Sequence, residues 1–404
     1  MTETLGATPP LLDLEQTAVQ FLVSAGEASG DMYAAGAVRR LKEIMPDAQF
    51  CGCAGPRLKD AGVEPLIDAA RLSVVGLAEV VLHLPRIYGE YRKLIAFARR
   101  NRPDAAILTD SPDFHLRLAR QLKRLGIPVY YLVAPQVWAW RPGRVKIIRE
   151  VVDKLFCLFP FEEKWFRQRG VDATYVGHPL AGMARPQFSR QEFFALHRLP
   201  EGRRTVVLLP GSRGGEAERH MPALLGAVST LQNRFLLSVI LATPDGFGAR
   251  GIFAQFRERV SALSIQVIEN QTWDCIGHAD LALAASGTVT IEAAVLGTPM
   301  VTFYKVNPVS WWAGRRLVKV PFLSMVNLIA GRQVVPELIQ HDMTAAKIAA
   351  EAEALLAEPG KADRMRADLA HVRSALGLEG DPFERIAEII AATHAGSAPA
   401  SAPA

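Results

Sequence analysis

Four short stretches carry the residue types and spacings that do chemistry. In "LLPGSRGGE", residues 208–216, an apolar run ends at Pro210 and is followed by Gly211, Ser212, Arg213, Gly214 and Gly215. A strand that feeds a glycine-rich turn into a helix is a common way to meet a phosphate. The turn is neither a Walker loop nor G-x-G-x-x-G, so the expected contact is an anion met by Arg213, helped by Gly211 and Ser212. In "ASGTVTIEAAVLGTPMVTFY", Ser286, Gly287 and Thr288 follow an apolar run and open a helix, where backbone N–H groups favour an anion. Glu292 lies four residues beyond Thr288, about one turn on, where its carboxylate can hold a pair of sugar hydroxyls. Read blandly, Ser286 is only an N-cap and Glu292 a solvated helix residue; Arg213 at another strand end tips the reading toward a diphosphate.

The other two stretches lie in the first half. "SAGEASGD" contains Gly26, Glu27, Ser29, Gly30 and Asp31. Carboxylates at a helix start suit the dipole but repel phosphate, so this turn is expected to bind the hydroxyls of a sugar acceptor. Its bland alternative is a tight turn whose glycines allow close packing. "LTDSPDFHLRLA" sets Asp110 and Asp113 after an apolar run, with His115 close behind. Neighbouring carboxylates shift each other's pKa and can leave one as a general base. Helix capping is the competing role, and one of the two aspartates is expected to fill it.

The elements that must position these residues alternate strand and helix. "FLVSA", "AQFCGC", "DAAILTD", "PVYYLVAP" and "KLFCLF" are expected strands in the first half. "TVVLLPG", "LLSVILA", "IQVIEN", "ADLALAASG" and "PMVTFY" repeat the plan in the second. Runs that are apolar throughout point to parallel sheets covered on both faces, and the intervening helical patterns make βαβ units. The fold class is therefore α/β, with two doubly wound, Rossmann-like domains in tandem. The expected division is a disordered leader at 1–17, a first domain at 18–184, a second at 185–365, C-terminal helices at 366–394 packing back on the first domain, and a disordered tail at 395–404. Ligands in such sheets sit beyond the carboxyl ends of strands, so two facing domains share one cleft.

Composition narrows the class. At 404 residues, with half of them hydrophobic and 22% charged, the chain can bury two cores. A net charge of +5 with no long basic block argues against nucleic acid as partner. Four cysteines without a Cys-x-x-Cys pair or a nearby His predict reduced, buried thiols and no metal site. The N-terminus lacks the pattern of a signal peptide, and no apolar run approaches the ~20 residues a membrane span needs. Two stretches mix apolar and aromatic residues with cations: Leu72–Ile95, and Trp311–Phe322 with Trp312, Arg315, Arg316 and Lys319. Each alone reads as ordinary helix, but together they suit an anionic membrane surface.

"AGEASGD", "APQVWAWR", "LLPGSRGGE", "ASGTVTIEA" and "VNLIAGR" resemble, in this order, the signature segments of lipid-A-disaccharide synthases, from about Val19 to Leu376. Ala134 and Gln136 stand where Ser is often seen, and His115 where Asn is common. The resemblance implies a glycosyltransferase-B fold and inverting transfer from UDP-2,3-diacylglucosamine to 2,3-diacylglucosamine 1-phosphate, on the cytoplasmic face of the inner membrane, without a cofactor. It implies that Asp113 deprotonates the acceptor 6-hydroxyl, with His115 as rival. Arg213 stabilises the departing UDP, Glu292 holds its ribose and Asn327 helps seat the donor. The absence of Asp-x-Asp fits a metal-independent transfer. A homodimer is compatible with the chain. Alternative readings are another UDP-sugar enzyme, such as a peptidoglycan glucosaminyltransferase or a UDP-sugar 2-epimerase, and a non-catalytic nucleotide- or lipid-binding protein.

Overall fold

The computed structural model describes residues 18–71, 77–211, 214–244, 254–307, 311–312, 320–377 and 380–394. Two fully parallel sheets organise the chain. The first contains β1 (Gln20–Ala25), β2 (Gln49–Ala54), β3 (Glu64–Asp68), β4 (Ala105–Thr109), β5 (Val129–Leu132), β6 (Lys154–Cys157) and β7 (Ala173–Tyr175), in the order β3-β2-β1-β4-β5-β6-β7. The second contains β8 (Arg204–Leu209), β9 (Leu237–Thr243), β10 (Gln266–Glu269), β11 (Leu281–Ala285), β12 (Met300–Tyr304) and β13 (Glu337–Ile339), in the order β10-β9-β8-β11-β12-β13. Every residue of β4, β5, β9 and β11 is buried, as expected of strands roofed by helices on both faces.

Sequence reasoning missed β3, β7 and β13. All three are outer strands, and all are short. β3 reads "EPLID", with a proline and two acids, a composition that only an edge position tolerates. The strand order reverses between β1 and β4 in the first sheet and between β8 and β11 in the second. At such switch points neighbouring strands send their connections to opposite faces and leave a crevice at their carboxyl ends. All four chemical stretches leave those four strands.

Three helices close the chain: Ala345–Ala357, Pro359–Leu376 and Pro382–His394. The expected boundary at residue 366 falls inside the second of these, whose Met365, Leu369 and Val372 are buried in the core containing the second sheet. The last helix returns to the first domain. Its Ile386 and Ile390 join the core around β1, Arg40 pairs with Asp381 at 2.8 Å, and the His394 ring meets Phe21 edge-on at 5.4 Å. The crossing point is pinned where the Tyr175 hydroxyl and the His178 amide both donate to the Leu376 carbonyl, at 2.8 and 2.9 Å. Among the described residues no helix is long and apolar enough to cross a membrane.

Candidate active site

In the second domain a cavity of about 250 Å³ opens where β8, β9 and β11 end. Gly211, Ser286, Gly287, Thr288 and Glu292 all line it, so five of the expected donor residues are brought together. Helix Thr288–Leu296 starts at its wall, and the first N–H groups of a helix have no partner within it. Gly287 is extended at φ 170°, and a methyl there would project into open space, so glycine leaves that approach to a ligand clear. Ser286 plays a different part: its amide donates to Phe303 O at 2.8 Å and its hydroxyl to Leu323 O at 3.3 Å. It fixes the turn, and the uncommitted anion donors must come from the residues after it. Burial raises the Glu292 carboxyl, opposed by a hydrogen bond to Trp273. Ser212 and Arg213 lie outside the described residues.

His220 was missed. It is fully buried beneath the Gly211 turn, with Nδ1 2.7 Å from Pro210 O and Nε2 3.0 Å from Lys305 N. A carbonyl can only accept and an amide only donate, so the ring is neutral with its proton on Nδ1. Burial depresses its pKa further. The side chain couples the turn after β8 to the segment after β12, and nothing in its local sequence marks it.

Asn327 is a correction. It is fully buried, its Nδ2 donates to Val335 O and Glu337 Oε1 at 2.9 and 2.7 Å, and its Oδ1 accepts from Val334 N and Val335 N. Every hydrogen-bonding capacity is spent on the loop before β13, leaving none for a donor sugar.

In the first domain two expected acceptor residues prove to be scaffold. Asp31 is buried and its carboxylate accepts from the amides of Gly55 (2.8 Å), Arg57 (2.9 Å) and Leu58 (3.3 Å), tying helix Ala28–Ile44 to the turn after β2. Asp110 accepts from the amides of Gly26 (3.0 Å) and Glu27 (3.0 Å), so it holds the turn after β1 instead of capping its own helix, whose N-cap Ser111 makes no side-chain cap hydrogen bond. Burial pushes the Asp110 carboxyl up to about 7 against the opposing pull of those amides. Side chains at Gly26 or Gly30 would overlap Asp110, so both glycines serve close approach. Asp110 and Ser111 stand at φ 55° and 36°, a left-handed pair of non-glycine residues that throws the chain sharply into helix Pro112–Arg124. Glu27 is exposed at the start of its helix and Ser29 half-buried behind it.

His115 cannot reach solvent. Its Nε2 lies 2.8 Å from Ser24 Oγ and its Nδ1 3.0 Å from Asp110 O. Burial lowers its pKa to about 4, which fits a neutral spacer between β1 and the Asp110 turn. Asp113, in contrast, is 65% exposed and faces Arg144 and Arg141. Both arginines come from the segment after β5. There Trp138 points inward, donating from Nε1 to the buried Glu162 at 3.0 Å, while Trp140 points outward under the Arg141 guanidinium at 4.2 Å. The same segment crosses to the second domain: Gln136 Nε2 reaches Met325 Sδ at 3.8 Å. The charge of Glu292 is felt at Tyr33 of the first domain, adding to burial in raising that phenol. The segment after β5 and the helix that carries Tyr33 therefore lie against the second domain.

Two facing parallel α/β domains with a C-terminal helix returning to the first define the glycosyltransferase-B class. Solved structures agree on the fold. The co-structure of Staphylococcus aureus MnaA with UDP aligns at TM-score 0.62, 11% identity and 92% of this chain against 95% of that one. The UDP-GlcNAc 2-epimerase from Neisseria meningitidis bound to UDP-GlcNAc aligns at TM-score 0.62, 12% identity and 94% of this chain against all of that one. At such identities the likeness is one of fold. The sequence goes further. The chain belongs to the lipid-A-disaccharide synthetase family, whose model matches residues 21–383. It is 58% identical to the lipid-A-disaccharide synthase of Solibacter usitatus over 90% of this chain and 94% of that protein. It is 41% identical to that of Geobacter sulfurreducens over 93% and 97%.

Proposed function

We propose that the second-domain cavity seats the UDP of the donor and that Asp113, across the cleft, activates the acceptor. The chain is a glycosyltransferase that condenses UDP-2,3-diacylglucosamine with 2,3-diacylglucosamine 1-phosphate, giving the tetraacyl disaccharide 1-phosphate of lipid A and UDP. The observation that supports the site reading is the convergence of Gly211, Gly287, Thr288 and Glu292 on one cavity, together with the exposure of the Asp113 carboxylate in the other domain.

In this reading Asp113 takes the proton of the acceptor 6-hydroxyl as the oxygen attacks the anomeric carbon. The bond from that carbon to the diphosphate breaks on the opposite side, inverting the centre. The negative charge that develops on UDP is met by the helix start at Thr288 and by Arg213. Glu292 accepts from the ribose hydroxyls, and Glu27 and Ser29 border the acceptor. The two units turn about the segment near Gly182–Arg185. Mass spectrometry of products from the two acylated monosaccharides tests the reaction: a tetraacyl disaccharide phosphate is expected, and its absence overturns it. Turnover is expected to persist after exhaustive EDTA treatment; a loss restored by magnesium or manganese overturns the metal-independent step.

The acylated substrates call for a lipid surface, and we propose that the protein docks peripherally on the anionic inner face of the inner membrane. Helix Leu77–Asn101 supports this: Tyr88 is 61% exposed and flanked by exposed Arg86, Arg92 and Lys93. Trp312, 60% exposed, belongs to the other stretch; Arg315, Arg316 and Lys319 lie outside the described residues.

A further inference from the structure

The segment Val137–Arg144 brings two guanidinium groups to one carboxylate, and the two are not equivalent. Arg144 is the more buried, with 20% of its side chain exposed, and donates directly to Asp113 Oδ1. Its charge is spent on orienting that carboxylate. Arg141 is 41% exposed and its nearest approach to Asp113 is 3.8 Å, beyond hydrogen-bond length. Among the described residues its guanidinium makes no hydrogen bond; its carbon sits over the Trp140 ring at 4.2 Å, a contact that holds the group while leaving N–H groups for a ligand. Two positive charges against one negative leave the mouth of the site with an uncompensated cation.

The mounting beneath is rigid. The Arg141 amide donates to Val137 O at 3.0 Å, and Pro142 starts a short 3-10 turn that ends at Arg144. Trp138, two residues from Trp140 and on the inner side, is tied to the buried Glu162. The sequence alternates an inward tryptophan anchor with an outward tryptophan shelf, and the shelf carries the cation.

We propose that Arg141 is the binding subsite for the phosphomonoester of the acceptor sugar, with Trp140 as its shelf and Arg144 reserved for Asp113. A planar guanidinium with free parallel N–H groups matches two oxygens of a phosphate, and at neutral pH, above its second ionisation, a monoester carries roughly 1.5 to 2 negative charges. The donor diphosphate has its own place across the cleft, so the anion expected beside Asp113 is the one on the acceptor. The division also keeps the base intact: were Arg141 absent, the incoming phosphate would compete for Arg144 and release Asp113 from its partner. This subsite rests on the reading of Asp113 and the first domain as the acceptor side.

The test compares the wild type, Arg141→Ala and Arg141→Lys with two acceptors, 2,3-diacylglucosamine 1-phosphate and the same sugar lacking the phosphate. UDP affinity is measured by calorimetry and folding by thermal melting. Arg141→Ala is expected to raise the KM for the phosphorylated acceptor on the order of 10–100-fold, the size of one charge-assisted contact. UDP affinity and melting temperature stay at wild-type values, and Arg141→Lys recovers part of the loss. With the phosphate-free acceptor, wild type and Arg141→Ala should be equally poor. An unchanged KM for the phosphorylated acceptor, or the same loss with both acceptors, overturns the subsite while wild-type turnover leaves the parent reading standing. A wild type that makes no disaccharide from the phosphorylated acceptor overturns both.

Discussion

At the scale of single residues, burial decides which acids and bases take part in chemistry. Asp113 and His115 are two residues apart, yet one is largely exposed and the other is sealed between Ser24 and the Asp110 carbonyl. Asp113→Asn is expected to lower kcat by roughly 10²–10⁴-fold with UDP affinity and melting temperature unchanged. His115→Asn should instead lower the melting temperature while keeping the acidic limb of the rate profile. Steady-state rates across pH beside melting curves separate the two; an acidic limb lost only in His115→Asn would return the base to His115. Glu162 offers a second check. Burial raises its carboxyl to about 8, so the folded protein holds a proton there that the unfolded chain gives up near its ordinary value. Between those two values the folded state binds more protons than the unfolded, and stability must fall as pH rises through that window. Asp110 adds the same sign up to about 7. Melting temperatures of Glu162→Gln should decline less from pH 5 to pH 8 than those of the wild type; parallel declines would show that Glu162 ionises normally.

At the scale of elements, the same motif can build a wall or a contact, and sequence spacing does not distinguish them. "ASGTVTIEA" delivers Gly287, Thr288 and Glu292 to the cavity because it opens a helix at the end of β11, next to the switch point. "VNLIAGR" sits close to the same sheet, but its asparagine turns inward to carry the loop Val334–Glu337 that leads to β13. Asn327→Ala removes four hydrogen bonds, two of them buried and two partly so, and is expected to cost about 2–4 kcal/mol of stability, by the usual worth of such polar contacts. Chemical denaturation measures this. UDP affinity per folded molecule should stay near that of the wild type, and a selective loss of UDP binding without loss of stability would restore Asn327 to the donor site.

At the scale of the whole molecule, two domains are joined between β7 and β8 and again where the chain returns through helix Pro382–His394. Peripheral docking is a property of this larger surface. Liposomes containing anionic lipid are expected to carry the protein in flotation, less so as salt rises, because the attraction between exposed charges is screened. Arg86→Glu with Tyr88→Ser should weaken flotation, since both are exposed on helix Leu77–Asn101. Flotation that ignores both salt and these substitutions would assign the helix to the core alone.

The sequence by itself determined the two-domain plan, ten of the thirteen strands and the placing of Gly211, Gly287, Thr288 and Glu292 at neighbouring strand ends, because fully apolar runs and glycine turns at their ends are local signals. Its five ordered segments also pointed to the family that the match over residues 21–383 identifies. Only the tertiary structure decided which polar residues are spent. Asp31, Asp110, Asn327 and His115 carry the same groups as binding residues, and they became scaffold because amides, hydroxyls and carbonyls distant in sequence close around them. The outer strands β3, β7 and β13 escaped notice for a related reason: their short, mixed sequences are held by pairing with a neighbour strand, which no local pattern records. A buried polar group must be paired, and its partner is chosen by the fold rather than by spacing along the chain.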